Sequence, residues 1–463
     1  MLSSVLNSFT LRITVLSVAF ANCGIGAEPG SPNTAAYRLA VFSADVTPPL
    51  NSPLCGGLVK PVASVSEPLQ AHGIVILGTD HPIVLCAVDW CEIHNEDHLM
   101  WRTVLADAAG TMPEYVAVQS LHQHNAPIAD TAAEGFLKET SAPISIQDSA
   151  WMKSVLGDVA EAVSASLSDA QPLTHVGLGE AIVKDVASNR RVMGPDGRVQ
   201  AVRTSATRDP EVRAAPEGTI DPLLKTICLL NESRKLAVLH YYGTHPMSYY
   251  GDGVVTSDFT GIAREARSAE DQTLHIYFTG CGGNVTAGKY NDGNPDNRPV
   301  LAHRILEAMR NSESALQIRP VQQISWKYSS VLLPVNESVR LEDLQQTIRD
   351  PAASASSRIS AAMRRSFLLY AEQKQAIIFS RLSIGSDVSI IHLPGEPFIE
   401  YQLMAQKLAA GRFVAVAGYG DGGCGYIPLE KSFAEGGYEP TWAFAAPSSE
   451  NIIRDTIANL LKP

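Results

Sequence analysis

The sequence predicts an α/β fold of mixed β-sheets flanked by helices, with active-site loops at strand carboxyl ends. Three observations predict it. Apolar runs of strand length recur along the chain, and each stops at a polar or glycine-rich turn. Stretches with helical periodicity stand among them, after Asn297 and across residues 338–375. The chain has 463 residues, 45% hydrophobic and 18% charged, enough for a large core without a disulfide framework.

Taken in order, residues 1–27 read as a secretory signal. One cation, Arg12, precedes the apolar run 13–21, and small residues follow to Ala27. Residues 28–36 read as a linker and 37–463 as one domain. Export places the mature chain outside the cytoplasm, secreted or periplasmic, with peripheral membrane contact left open. No later apolar run reaches the ~18 residues of a membrane span. Cysteines stand at 23, 55, 86, 91, 228, 281 and 424. Without Cys23 six remain, and disulfides and buried free thiols fit equally well. A net charge of −12 with no basic run argues against a nucleic-acid partner.

Residues 72–78 and 82–89, joined by a Thr-Asp-His turn, form a predicted hairpin of buried strands. Asn297-Arg-Pro299 opens a helix whose apolar face is Leu301, Ile305, Leu306 and Met309. Residues 338–375 predict two helices, broken at Asp350-Pro351 and packed on the outside. Residues 449–461 predict a last amphipathic helix.

Five apolar runs end in turns that carry chemistry. Residues 115–121 lead to His122-Gln-His124, residues 236–242 to Gly243-Thr-His245-Pro246, and residues 274–278 to a glycine-rich turn ending at Asn284. Residues 388–393 lead to Pro394-Gly-Glu396-Pro397, and residues 413–418 to a glycine-rich turn ending at Tyr426. Ligands of open α/β sheets bind beyond strand carboxyl ends. If these strands are parallel neighbours, His122, His245, Glu396 and Tyr426 converge.

Singly, each has a plain structural explanation: a hydrogen-bonded surface histidine pair, a rigid turn, turn chemistry at Glu396. Together they suit a catalytic zinc, which takes imidazole and carboxylate ligands at about 2.0–2.2 Å and keeps one position open. Such an ion lowers the pKa of bound water to about 7 and polarises a carbonyl. Calcium and magnesium prefer more oxygen ligands. A helical HExxH is absent from the sequence, so the ligands must come from distant loops.

These turns, in this order, resemble those of the neutral (alkaline, non-lysosomal) ceramidases, which are zinc amidohydrolases. The likeness runs from Ala40-Val-Phe-Ser-Ala-Asp45-Val-Thr-Pro48 to the carboxyl end. The family's HTHSGPG turn corresponds to His122-Gln-His-Asn-Ala-Pro127, and its THPTSM turn to Thr244-His-Pro-Met-Ser248. Its SGD corresponds to Thr256-Ser-Asp258, and its PGE to Pro394-Gly-Glu396. Tyr426 and Tyr438 keep the family's spacing of two late tyrosines.

The resemblance implies a zinc ion held by His122, His245, Glu396 and Tyr426. It implies His124 as a non-ligand histidine at the scissile bond, Arg190 at the substrate and Tyr438 at the reacting centre. The expected reaction is hydrolysis of an N-acyl amide, N-acylsphingosine giving a sphingoid base and a fatty acid. Two departures bear on the substrate. The family's Gly-Asp-Val-Ser-Pro turn here reads Gly283-Asn-Val-Thr-Ala287, so Thr286, expected to orient water or substrate or else to cap its glycine-rich turn, stands where the family has a serine, and Asn284 replaces a carboxylate. Such enzymes also generally carry a β-sandwich domain after the catalytic one, and this sequence stops at Pro463. Another N-acyl or ester substrate, or a non-catalytic metal- or ligand-binding relative, stays open, as does the oligomeric state.

Overall fold

The expected hairpin forms the middle of a first sheet. In the computed structural model, which describes residues 36–140, 143–336 and 338–462, strands Gln70–Leu77 and Ile83–Val88 pair antiparallel. Arg38–Asp45 flanks the former, and Val116–Ser120 joins the latter in parallel. Ile83–Val88 is buried along its whole length, which is why it reads as an unbroken apolar run. The signal reading and all of the linker reading except Ala36 lie outside the described residues.

Two further sheets repeat the plan. The second runs Leu274–Thr279, Arg234–Tyr242, Leu223–Asn231, His175–Ile182 and Gln317–Pro320. The third runs Ile324–Val331, Ile377–Ile384, Val388–His392 and Phe413–Ala417. Each sheet ends in one parallel pair: Arg234–Tyr242 with Leu274–Thr279, and Val388–His392 with Phe413–Ala417. Parallel strands need a crossover. Helices Asn95–Ala109, Asp258–Asp271 and Ile399–Leu408 supply it in the three sheets. The five chemistry-bearing runs are therefore not neighbours in one parallel sheet. They belong to the parallel edges of three sheets, because apolar patterning marks a strand without naming its partner.

One apolar cluster joins all three sheets, with Ile74 and Leu85 from the first, Ile227, Leu239 and Ile276 from the second, and Leu382, Ile390 and Ala415 from the third. Residues of the opposite parity, such as Val84, Val88 and Val118, join a cluster with Leu105 and Val159 of the helices. Each such side chain contributes about 1.5–3 kcal/mol by leaving water. The strand ends are also tied directly. Gly418 N–H donates to Thr279 O at 2.9 Å and Ser120 N–H to Tyr419 O at 2.7 Å. The Thr279 hydroxyl donates to Leu121 O at 2.8 Å.

Helices Asn297–Ser314 and Ser449–Leu461 stand where expected. Residues 338–375 do give two helices, Leu341–Arg349 and Ala355–Glu372, but the second is not on the outside. It buries Ile359, Ala362, Met363 and Phe367, and Ser366 donates to the buried Asp130 at 2.8 Å. Its polar residues read as external in the sequence, whereas the Ser366 hydroxyl is used inside. The six described cysteines are buried free thiols. Among the described residues no helix is long and apolar enough to cross a membrane.

Candidate metal centre and its cavity

His122 follows strand Val116–Ser120 in a left-handed conformation, φ +74°. A residue with a Cβ held there costs about 1–3 kcal/mol, so the surroundings must enforce it. Its N–H donates to Trp90 O at 2.9 Å, and Tyr419 stacks on its ring at 4.4 Å. His122 Nδ1–H donates to Cys91 O at 3.0 Å, and His245 Nδ1–H to Gly282 O at 2.7 Å. Both imidazoles are thereby held in the tautomer whose Nε2 carries a free lone pair.

Those two Nε2 atoms point at one carboxylate oxygen. Glu396 Oε2 lies 3.1 Å from His122 Nε2 and 3.0 Å from His245 Nε2. Yet His122 Nε2 and Glu396 Oε2 are buried without a hydrogen-bond partner. Close approach without hydrogen-bond alignment is what lone pairs aimed at a common cation produce. Zinc ligands at about 2.0–2.1 Å sit about 3.3 Å apart in a tetrahedron, near the separations seen here. Tyr426 pairs with Glu396 in a short parallel bridge and brings its hydroxyl 3.2 Å from His245 Nε2. These residues fit a divalent ion.

Burial disfavours charge on His122, but the Glu396 carboxylate outweighs it and raises the His122 pKa. Burial, helped by Arg190 and His122, pushes His245 down to about 3. Burial alone would raise the Glu396 pKa, but both histidines overcome it and hold that carboxyl well below its usual range.

Arg190 is buried, not the solvated arginine its basic loop suggests. Its Nη1 donates to Tyr426 Oη at 2.8 Å and to Gly283 O at 3.2 Å. Its guanidinium carbon lies 5.3 Å from the Tyr438 ring centre. Arg190, His124, Tyr426 and Tyr438 line one cavity of about 860 Å³, together with Tyr250, Met247 and residues of strand Val199–Val202. Tyr438 is 41% exposed at this cavity.

The structure thus brings seven of the eight sequence-predicted residues together. Thr286 is the exception. It is fully buried in a strand pair with Ser188, its hydroxyl donates to Arg203 O, and it accepts from Gly288 N–H. Its position in a glycine-rich turn is served by this local bonding, and it does not line the cavity. Asn284 is structural as well: its Oδ1 accepts from Ile399 N–H at 2.8 Å, at the start of helix Ile399–Leu408.

Sequence reasoning missed Tyr419, Tyr250 and Glu92. Tyr419 carried a signal, as it directly follows a strand inside a glycine-rich turn. Tyr250 packs on His124 at 5.1 Å and Glu92 Oε1 lies 3.8 Å from His122 Nδ1, contacts that no spacing announces.

The histidine–carboxylate cluster sits at converging strand ends of a mixed-sheet α/β fold, and solved structures share that fold. A structure described as ceramidase complexed with C2 matches with a TM-score of 0.69, and neutral ceramidase from Pseudomonas aeruginosa with 0.67. Each is 13% identical to this chain, and each match covers 92% of this chain and 75% of the other. At that identity the likeness is one of fold. No family model matches the sequence, and no curated protein does.

Proposed function

We propose that the chain is a zinc-dependent amidohydrolase of ceramidase type, cleaving an N-acylsphingosine into a sphingoid base and a fatty acid. The supporting observation is the meeting of His122 Nε2, His245 Nε2 and Glu396 Oε2 beside a cavity lined by Arg190, His124 and Tyr438. His122, His245, Glu396 and Tyr426 would hold the ion, whose Lewis acidity acidifies water and polarises the scissile carbonyl.

The remaining work falls to side chains. Arg190, fixed by Tyr426 and Gly283, places a permanent positive charge where oxyanion charge develops, and the Tyr438 hydroxyl donates at the same centre. His124 carries a proton to the departing amine. Val199, Ala201, Val202 and Met247 give the acyl chain an apolar wall. Tyr250, 48% exposed, and Tyr438 offer amphipathic contacts to a lipid surface, in keeping with an exported, peripherally bound enzyme.

Gln200, Thr204, Ser205 and Thr441 also line the cavity, and this polarity favours a second reading, a short N-acyl or ester substrate. The test is chelation followed by zinc reloading, with N-acylsphingosine compared against short-chain N-acyl substrates and esters. Hydrolysis of N-acylsphingosine lost on stripping and restored by zinc is expected. Preference for short chains or esters moves the assignment to the second reading, and no hydrolysis of any of them after reloading overturns the enzyme.

A further inference from the structure

A buried ion group stands directly behind His122. Strand Glu92–Ile93 pairs in parallel with Ile128–Ala129, and His94 N–H donates to Ala129 O at 2.9 Å, which sets His94 beside Asp130. His94 Nε2 lies 2.8 Å from Glu92 Oε2, and His94 Nδ1 lies 3.1 Å from Asp130 Oδ2. Ionised carboxylates only accept, so both ring nitrogens donate and His94 is an imidazolium. Burial disfavours that charge, but Glu92 and Asp130 outweigh it and raise the His94 pKa well above its usual value. The second oxygen of Asp130 accepts from the Ser366 hydroxyl at 2.8 Å and from Ala133 N–H at 3.0 Å. The second oxygen of Glu92 turns the other way, to within 3.8 Å of His122 Nδ1. Two negative charges and one positive thus leave a net negative charge that faces His122.

The turn that leads to Tyr426 closes the group in. A Cβ on Gly422 would stand 2.8 Å from His94 Cδ2 and 3.2 Å from Glu92 Cβ, and Asp421 Oδ1 accepts from Asn95 N–H at 2.7 Å. Buried ion groups add little stability over apolar packing, because desolvation offsets their attraction. The placement of this one, against two elements of the metal centre, calls for a role there.

We propose that Glu92 is a positioning residue of the metal centre, pinned by the His94–Asp130 pair so that its carboxylate orients His122 and strengthens His122 Nε2 as a ligand. Cys91 O takes the Nδ1–H hydrogen bond itself at 3.0 Å, so Glu92 acts through its charge. Negative charge beside Nδ1–H draws that proton and leaves more electron density on Nε2, the way a carboxylate behind a metal-bound histidine raises its basicity. The inference rests on the zinc reading above and adds a residue behind its ligand set.

Zinc affinity of the metal-free full chain, measured by competition with a chromophoric chelator, tests it. Glu92→Gln keeps the size of the side chain and removes its charge. It should weaken zinc binding by about 10–100-fold while keeping the circular dichroism of the parent. Glu92→Asp keeps the charge on a shorter arm and should stay nearer the parent than Glu92→Gln; a packing role alone predicts the reverse order. As a measurement that needs no variant, nitrogen-15 spectra of the histidines at pH 8 should show His94 with both ring nitrogens protonated. A folded Glu92→Gln that binds zinc as the parent does, or more tightly than Glu92→Asp, overturns the inference, as does a neutral His94 at that pH. A parent that binds zinc while Glu92→Gln changes nothing sinks this inference alone, whereas a parent that binds no zinc sinks the metal reading and this inference with it.

Discussion

His122 and His245 each give Nδ1–H to a main-chain carbonyl, and that single choice leaves the other nitrogen's lone pair open to an ion. In the metal-free protein Glu396 and His122 are shifted in opposite directions, each by the other's charge. The depressed Glu396 pKa adds stability that is present above its unfolded value and lost as pH falls through the folded one. The raised His122 pKa adds stability that is full below about 6.5 and lost as pH rises through its folded value. Thermal melts of metal-free protein should therefore show this contribution between those two folded pKa values, opposed by the depressed His245 pKa, which takes stability away as pH falls from about 6.5 towards about 3. Zinc must displace the His122 proton, so affinity measured by calorimetry should weaken as pH drops below the raised His122 pKa. An affinity independent of pH would contradict the ligand assignment. His124→Ala should lower kcat by about 10²–10⁴ with zinc content unchanged at one equivalent, the range for losing a general acid or base. His245→Ala should lose the zinc itself, read by metal analysis. The four candidate ligands were legible because each stands in the turn that follows an apolar run. Arg190 was legible only by family likeness, since its burial depends on Tyr426 and Glu439 far along the chain.

At the scale of elements, turns position the ligands through close backbone approach. Gly395 has φ +56°, and a Cβ there would sit 2.6 Å from both Cys424 Sγ and Gly425 O. Gly395→Ala should therefore move Glu396 and destabilise the fold by about 1–3 kcal/mol, visible as a lower urea midpoint together with weaker zinc binding. A midpoint unchanged from the parent would mean that the turn relaxes freely. Asn284→Ala removes the acceptor for Ile399 N–H and should cost about 0.5–2 kcal/mol in the same measurement, as loss of a helix cap does. Strands and helix starts were readable from period and capping residues. Sheet membership was not, because a two-residue alternation is identical for every strand of a given depth. The burial of helix Ala355–Glu372 also escaped, since its serines look solvated until Asp130 is seen to accept from Ser366.

For the whole molecule, the site is an assembly of three sheets. His122 follows a strand of the first, His245 one of the second, and Glu396 and Tyr426, paired with each other, lie beyond the two parallel strands of the third, the three being joined by Gly418–Thr279 and Ser120–Tyr419 hydrogen bonds. Zinc at a hundred times its dissociation constant should add about 2.7 kcal/mol to unfolding, and thermal denaturation would read the shift. No fragment carrying only one of these sheets could present more than part of the ligand set. Limited proteolysis anywhere between the sheets would then release the ion before the core melts, and damage remote from the cavity would be felt there first. Occupancy of the centre is in this sense a gauge of whether the three layers remain docked.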